Sequence, residues 1–323
     1  MIKAIALFSG GLDSILAAEL IRRQNIDVLC LSFTTPFFDA QKALAASRQI
    51  NLPLEIQDIT SEHLQMLKAP RYGYGKNMNP CIDCHALMLH IAGRRMQETG
   101  RDFILTGEVL GQRPMSQNKQ SLYVVAKNSG YQDYILRPLS AILLDPIKAE
   151  REKLVDRSKM LAIQGRGRKQ QMQLATDFGI VHYAPPAGGC LLTDPIFSRR
   201  LRDLLAHQAA PDIRDYELLK YGRHFRISDR CKIIVGRNRA DNEALKKLIA
   251  PGDLIFNMAH FPGPLVLVPN GAESDKIIAS ALCVRYSDAP PDVQADVICM
   301  NNHIAEKLTA APAAQEDCQR WII

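Results

Sequence analysis

The sequence predicts an α/β protein, a parallel sheet with helices on its faces, followed by a small α+β module. Three observations carry this. From Ile2 to Leu139, short apolar runs alternate with segments of helical period, the rhythm of strand–helix–strand units. A glycine turn, Ser9–Ser14, stands between the first apolar run and the first helical one. Near Asp215 the composition shifts to short β-like runs separated by Gly, Pro and Asn.

Taken in order, Ile2–Phe8 reads as a buried strand and SILAAELIRR as the helix after the turn. Val28–Phe33 is a second strand, Asp39–Gln49 a helix and Leu54–Asp58 a third strand. Asp83–Thr99 is a long helix, Phe103–Thr106 a fourth strand, and ILRPL (Ile135–Leu139) a fifth. From Pro146 to Phe178 the chain reads as helical and basic, broken at the glycines of IQGRGRKQQ, and YAPPAGGCLLTDP as an ordered loop. Ser198–His207 is a helix. The predicted divisions are 1–197, a catalytic domain; 198–215, a linker helix; 216–288, the α+β module; and 289–323, an acidic helical tail.

The 323 residues are 47% hydrophobic and 23% charged, which excludes a disordered or fibrous chain. No run approaches the roughly 18 apolar residues of a membrane span. The N-terminus lacks the flanks of a signal peptide, so a cytoplasmic protein without membrane contact is expected. The net charge is +6. Arg199–Arg239 holds 11 basic residues against 5 acidic, whereas Tyr286–Ile323 holds six acids against two bases. Such asymmetry fits a polyanionic partner on one surface, and equally a solvated charged face. Eight cysteines in a reducing compartment point, where clustered, to metal binding or catalysis.

In Ser9-Gly10-Gly11-Leu12-Asp13-Ser14 the glycines let backbone approach a ligand, and the helix start offers free N–H groups to an anion. Ser9 and Ser14 add hydroxyls, and Asp13 can hold Mg²⁺ or cap the helix. In NPCIDCH, Cys81 and Cys84 lie on one face of a helix start, and Cys190 follows far downstream. Two thiolates and a distant third suit a soft metal or an iron–sulfur cluster. A structural Zn site completed by His85 and a redox Cys-x-x-Cys remain open. Cys30, Cys231, Cys283, Cys299 and Cys318 read as packing residues. Thr106 and Gly107 close a strand at the ligand-facing edge, with Glu108 and Gln112 within reach of a nucleotide or base.

The string SGGLDS resembles the PP-loop of the ATP pyrophosphatases, also described as adenine nucleotide α-hydrolase-like. It lacks the Walker A lysine, so γ-phosphate transfer is not expected. The resemblance implies ATP cleaved between its α- and β-phosphates, with adenylation of a substrate oxygen. It assigns Ser9, Gly10, Gly11, Asp13, Ser14, Thr106, Gly107 and Gln112 to cofactor binding, with Asp13 and Glu108 positioning a metal or base. With that loop present, Cys81, Cys84 and Cys190 resemble the ligands of the tRNA thiolation enzymes that hold a [4Fe-4S] cluster on three cysteines. Cys190 is then counted among the catalytic residues.

T-G-E-x-L-G-Q from Thr106, the following Ser116-Gln117, and L-R-P-L resemble the catalytic domain of tRNA 4-thiouridine synthases. They differ from the string ending in Gly-His of the 2-thiouridylases. The implied product is 4-thiouridine at position 8 of tRNA. The sequence begins at the loop's strand, without that family's N-terminal RNA-binding extension or the rhodanese domain of some members. VGRNRADNE and FNMAHFPGPLVLV resemble instead an NFACT-R RNA-binding module over Tyr216–Asp288. The expected RNA contacts are Arg237, Asn238, Arg239 and Asn242, with Arg166, Arg168 and Lys169 in the first domain. The implied cofactors are ATP, Mg²⁺ and a [4Fe-4S] cluster, and the implied partners are tRNA and a sulfur donor, sulfide or a cysteine desulfurase persulfide. A homodimer is compatible with the sequence. The rival readings are thiolation of another base (2-thiouridine or 2-thiocytidine), a non-RNA PP-loop ligase with structural Zn, and an RNA-binding protein with a vestigial nucleotide site.

Overall fold

Five apolar runs meet to form the first sheet. The computed structural model describes residues 1–113, 115–185, 189–302 and 304–323. It divides into two units, Met1–Thr193 and Asp194–Ile323. In the first unit, β1 (Lys3–Leu7), β2 (Asp27–Thr34) and β3 (Leu54–Asp58) alternate with α1 (Leu12–Arg22), α2 (Gln41–Ile50) and α3 (Thr60–Lys68). Then follow α4 (Cys81–Glu98), β4 (Phe103–Thr106), α5 (Lys119–Ser129), β5 (Ile135–Leu136), α6 (Lys148–Arg151) and α7 (Lys169–Asp177). The strands pair in parallel in the order β3-β2-β1-β4-β5.

The central position of β1 follows from its residues. Ala4, Ile5 and Ala6 are wholly buried because helices cover both faces. On one face Ala4, Ala6 and Phe8 pack with Leu12, Ile15 and Leu16 of α1; on the other Ile5 packs with Leu89 and Ala92 of α4 and Val125 of α5. The order puts the carboxyl ends of β1 and β4 side by side, where the chain reverses winding direction and ligands bind in such sheets.

The second unit begins earlier than the sequence reading placed it. Asp194 caps α8 (Pro195–His207), accepting from the Phe197 N–H at 2.7 Å, with Pro195 at the first helical position. After α9 (Ile213–Leu218) come β6 (Arg223–Arg226), β7 (Lys232–Val235), α10 (Arg239–Lys246), β8 (Leu254–Met258), β9 (Val266–Val268) and α11 (Lys276–Arg285). The chain closes with β10 (Ala295–Asn301), β11 (Ile304–Ala310) and α12 (Gln315–Trp321). A six-stranded sheet runs β11-β10-β8-β9-β7-β6, its pairings antiparallel.

Several expectations are corrected. The linker helix is not free-standing: buried Arg200 of α8 donates to the Leu219 and Gly222 carbonyls and so ties α8 to the second unit. The tail is a strand pair before it is a helix. Ala295, Val297 and Cys299 alternate inward along β10, a period of two that the acidic composition obscured. The tail also closes the module, since the Ile323 N–H donates to the His224 carbonyl at 3.0 Å. The fifth strand stops at Leu136, because Pro138 has no N–H to give a ladder. Between Pro146 and Phe178 the only α-helices are α6 and α7, since Lys153 and Gly165 adopt positive φ and end regular winding. Among the described residues no helix is long and apolar enough to cross a membrane.

Candidate functional site

The carboxyl end of β1 leads straight into the glycine turn. Gly10 has φ +71°, and a Cβ there would sit 2.3 Å from the Lys42 carbonyl carbon in the first turn of α2, so only glycine fits. Gly11 is extended (φ −78°, ψ 157°) and begins α1 without a side-chain cap, which leaves first-turn N–H groups for an external acceptor. Ser14 Oγ donates to the Gly11 carbonyl at 2.8 Å and lies 3.4 Å from Ser9 Oγ. From β4, Gly107 closes the other side: a Cβ on it would be 2.5 Å from the Asp13 carbonyl carbon and the Ser14 nitrogen. The turn is a backbone cradle held by two glycines that tolerate no side chain.

Asp13 stands in the first turn of α1. Its Oδ2 accepts from Gln112 Nε2 at 3.0 Å, while its buried Oδ1 has no hydrogen-bond partner. Burial raises its pKa; Gln112, Arg168, Arg113 and Gln171 act in the opposite sense. A buried carboxylate oxygen left unpaired beside an anion cradle fits a divalent cation. Thr106 and Gly107 thus lie at the cradle, and Gln112 reaches it through Asp13.

Glu108 is a buried brace. It pairs with Arg137 Nε (2.9 Å) and His85 Nδ1 (3.0 Å) and accepts from Thr106 Oγ1 (3.2 Å). Burial works against its charge, yet Arg137 and His85 overcome this and hold its pKa at about 2. Glu108 is therefore a fixed anion that orients neighbours, and it links the cysteine helix α4 to the end of β4. His85 spends Nδ1 on this pair.

Cys81 opens α4, Cys84 lies one turn on, and Cys190 comes from the loop before Asp194. Asn79 Nδ2 donates to Cys81 Sγ at 3.2 Å, and Cys84 Sγ is 3.5 Å from Nε2 of the wholly buried His63. Burial, then the charges of Cys190 and Cys81, push the Cys84 thiol above its ordinary range; burial mainly pushes Cys190 up to about 11. The three sulfurs thus lie within electrostatic reach of one another. Among the described residues, however, no three His, Cys, Asp or Glu side chains form a metal-ligand set. Three thiols fit a soft metal or cluster in donor chemistry, without being gathered as ligands. Of the loop before Cys190, residues 186–188 lie outside the described residues. The other five cysteines are buried packing residues, as expected.

Arg166 and Lys169 are exposed. Arg168 instead lies near Asp13, with its Nε buried and unpaired. In the second unit, Asn238 caps α10 by accepting from the Asp241 N–H at 2.9 Å, and Asn242 Oδ1 accepts from the Leu265 N–H at 3.1 Å. Arg237 pairs with Asp241 at 2.6 Å, and Arg239 is exposed on α10. Asn238 and Asn242 therefore have structural partners, as turn residues would. Sequence reasoning missed Gln171, His63 and Lys42, which no motif marks, and the pairing role of Arg137, although L-R-P-L contains it.

Residues 2–159 match the family model described as thiamine biosynthesis protein (ThiI). That match lies within the first unit. Residues 222–322 match the NFACT protein RNA binding domain, a span that takes in β10, β11 and α12. The chain is 27% identical over 168 residues to a protein of Thermococcus kodakarensis named "Probable tRNA sulfurtransferase", covering 49% of this chain and 40% of that one. It is 22% identical over 289 residues to a Methylobacterium nodulans protein named "tRNA-specific 2-thiouridylase MnmA", covering 78% and 72%. The chain thus spans about two fifths of the Thermococcus relative's length. A solved 4-thiouridine synthetase–RNA complex with bound ATP is 20% identical over 55% of this chain and 51% of its own, with a TM-score of 0.37, too loose a likeness to carry an argument. The ThiI match covers the cradle, Cys81, Cys84 and Glu108; Cys190 lies beyond it.

Proposed function

We propose that the chain is an ATP-dependent tRNA sulfurtransferase acting in the cytoplasm, its product 4-thiouridine. The observation that carries this is the Ser9–Ser14 cradle, closed by Gly10 and Gly107 and set in a ThiI-family domain. ATP lies with its phosphates on the cradle, where first-turn N–H groups of α1 and the hydroxyls of Ser9 and Ser14 meet negative charge. Asp13 holds Mg²⁺ through its unpaired oxygen, with Gln112 fixing the other. A uridine carbonyl oxygen attacks the α-phosphorus, the α–β phosphoanhydride bond breaks, and pyrophosphate leaves. Hydrosulfide then attacks the adenylated carbon, the C–O bond breaks, and AMP departs with the former carbonyl oxygen; from a persulfide donor, a thiol first reduces the S–S bond, becoming part of a disulfide and releasing that hydrosulfide.

Cys81, Cys84 and Cys190 are the residues that would hold a [4Fe-4S] cluster. Three ligands leave one iron open to hydrosulfide, the chemistry such a group supplies when bound. Glu108 keeps His85 and Arg137 in place between these thiols and the cradle. The second unit holds tRNA, with Arg239 the freest of the sequence-predicted contacts. A 2-thio product is the second reading, favoured by the likeness to the 2-thiouridylase over most of both chains.

The test is nucleoside mass spectrometry on unmodified tRNA incubated anaerobically with cluster-reconstituted protein, Mg·ATP and sulfide. ATP-dependent 4-thiouridine is the expected result. A 2-thionucleoside refutes the choice of base. No thionucleoside from protein that binds ATP and holds a cluster refutes the reaction.

A further inference from the structure

The cradle has a second wall. The segment before α7 is stitched to the loop that carries Gln112: Leu110 and Gln164 form a parallel bridge, and the Gly165 N–H donates to the Leu110 carbonyl at 2.7 Å. Gly111 and Gly165 approach so closely that a Cβ on Gly111 would lie 3.4 Å from the Gly165 nitrogen. This stitching delivers α7 with its first turn toward Asp13. Two of its side chains are then hard to explain as packing. Gln171 is wholly buried, yet neither polar atom of its amide makes a hydrogen bond of ordinary geometry, although it is close enough to Asp13 to favour the charged carboxylate. Arg168 buries its Nε without a partner and places its charge near the same carboxylate. Asp13 Oδ1, Arg168 Nε and both polar atoms of the Gln171 amide are thus buried without a hydrogen bond of ordinary geometry, and both side chains act on the Asp13 carboxylate. Folded proteins rarely leave such groups unmet unless something else satisfies them.

We propose that Arg168 and Gln171 complete the phosphate site from the side opposite the cradle, Arg168 binding the phosphates of the nucleotide and Gln171 positioning the Asp13 carboxylate. This rests on the nucleotide reading above and assigns Arg168 to ATP rather than to RNA. The guanidinium supplies the cation that the turn lacks, since SGGLDS has no lysine of its own. Gln171 is a positioning residue: it acts on the nucleotide through Asp13.

Binding of Mg·ATP to the full chain is measured by calorimetry, and of adenosine by displacement of labelled ATP, for wild type, Arg168→Ala, Arg168→Lys and Gln171→Met. The expected result is at least a tenfold loss of ATP affinity in Arg168→Ala and a smaller loss in Arg168→Lys, which keeps the charge without the fork. Gln171→Met loses about fivefold for Mg·ATP. Adenosine, which has no phosphates, changes less than twofold in all three. If Arg168→Ala does not fold, Arg168→Lys and Gln171→Met decide. ATP affinities within twofold of wild type, or equal losses for ATP and adenosine, overturn the proposal. Wild type that fails to bind ATP overturns the nucleotide reading itself.

Discussion

Glu108→Gln removes one charge from a buried pair and leaves the other. The wild-type carboxyl is held at about 2 against an ordinary 4.5, because Arg137 and His85 outweigh the burial that opposes its charge. A difference of about 2.5 pH units at about 1.36 kcal/mol each makes ionised Glu108 worth about 3 kcal/mol to the fold. Removing one partner of a buried pair gives a similar figure, about 3–5 kcal/mol, since the Arg137 guanidinium is left uncompensated. The variant should therefore lose about 3 kcal/mol at pH 7. With a urea slope of about 2 kcal/mol per molar, its midpoint falls by about 1.5 M. The only tryptophan, Trp321, lies in the second unit. Far-UV circular dichroism should then report an early transition in the variant while Trp321 fluorescence holds its wild-type midpoint. The folded pKa is depressed, so the stabilisation is fully present above about 4.5 and drains away as pH falls toward 2. The gap between the two proteins must narrow over that window. A circular dichroism midpoint within about 0.3 M of wild type at pH 7, or a gap unchanged by acid, refutes the reading of Glu108 as an ionised brace.

Gly107→Ala forces a methyl group to within 2.5 Å of the Asp13 and Ser14 backbone, so α1 must retreat from β4. The expected cost is about 1–3 kcal/mol of stability and a loss of ATP affinity of more than tenfold in calorimetry. Cys190→Ala should abolish thionucleoside formation while leaving ATP binding within twofold of wild type, and an active, cluster-free variant would contradict the role given to the thiols. Asn238→Ala removes the cap of α10 and should lower the thermal stability of the second unit by about 1 kcal/mol, read from Trp321 fluorescence. Arg239→Ala should leave that stability unchanged and weaken tRNA binding while flattening its salt dependence, measured by filter binding at several ionic strengths.

How much of this was legible in the sequence depended on the range of the interaction. The cradle could be read because its chemistry is local: two glycines and a helix start, six residues apart at most, dictate a turn whatever surrounds them. The parallel sheet followed from apolar runs such as KAIAL and DVLCLSFT, which only a doubly covered strand tolerates. Gln171 and His63 were illegible because their meaning comes from distant partners, Asp13 and Cys84, that no spacing rule connects. Asn238 and Asn242 show the converse. Polar residues in a basic loop suggested contacts with RNA, but one serves a helix end and the other a backbone N–H across the module. Strand β10 was hidden by its composition, since the inward alternation of Ala295, Val297 and Cys299 lies within a segment remarkable to a reader only for its acids.

The bridge between Gly11 and Ala184 has a mechanical consequence. Ala184 is pinned to the phosphate turn, and Cys190 follows it by only six residues. An extended chain of six residues spans at most about 20 Å, so Cys190 is tethered within that radius of the bridge. The sulfur of Cys190 is thus confined relative to Gly11, the residue that precedes the first turn of α1, and the Leu191 N–H holds its other side to the Phe37 carbonyl at 3.0 Å. Under the proposed reaction, a shift of Gly11 moves the circle within which Cys190 can work, and so couples sulfur transfer to the seating of ATP.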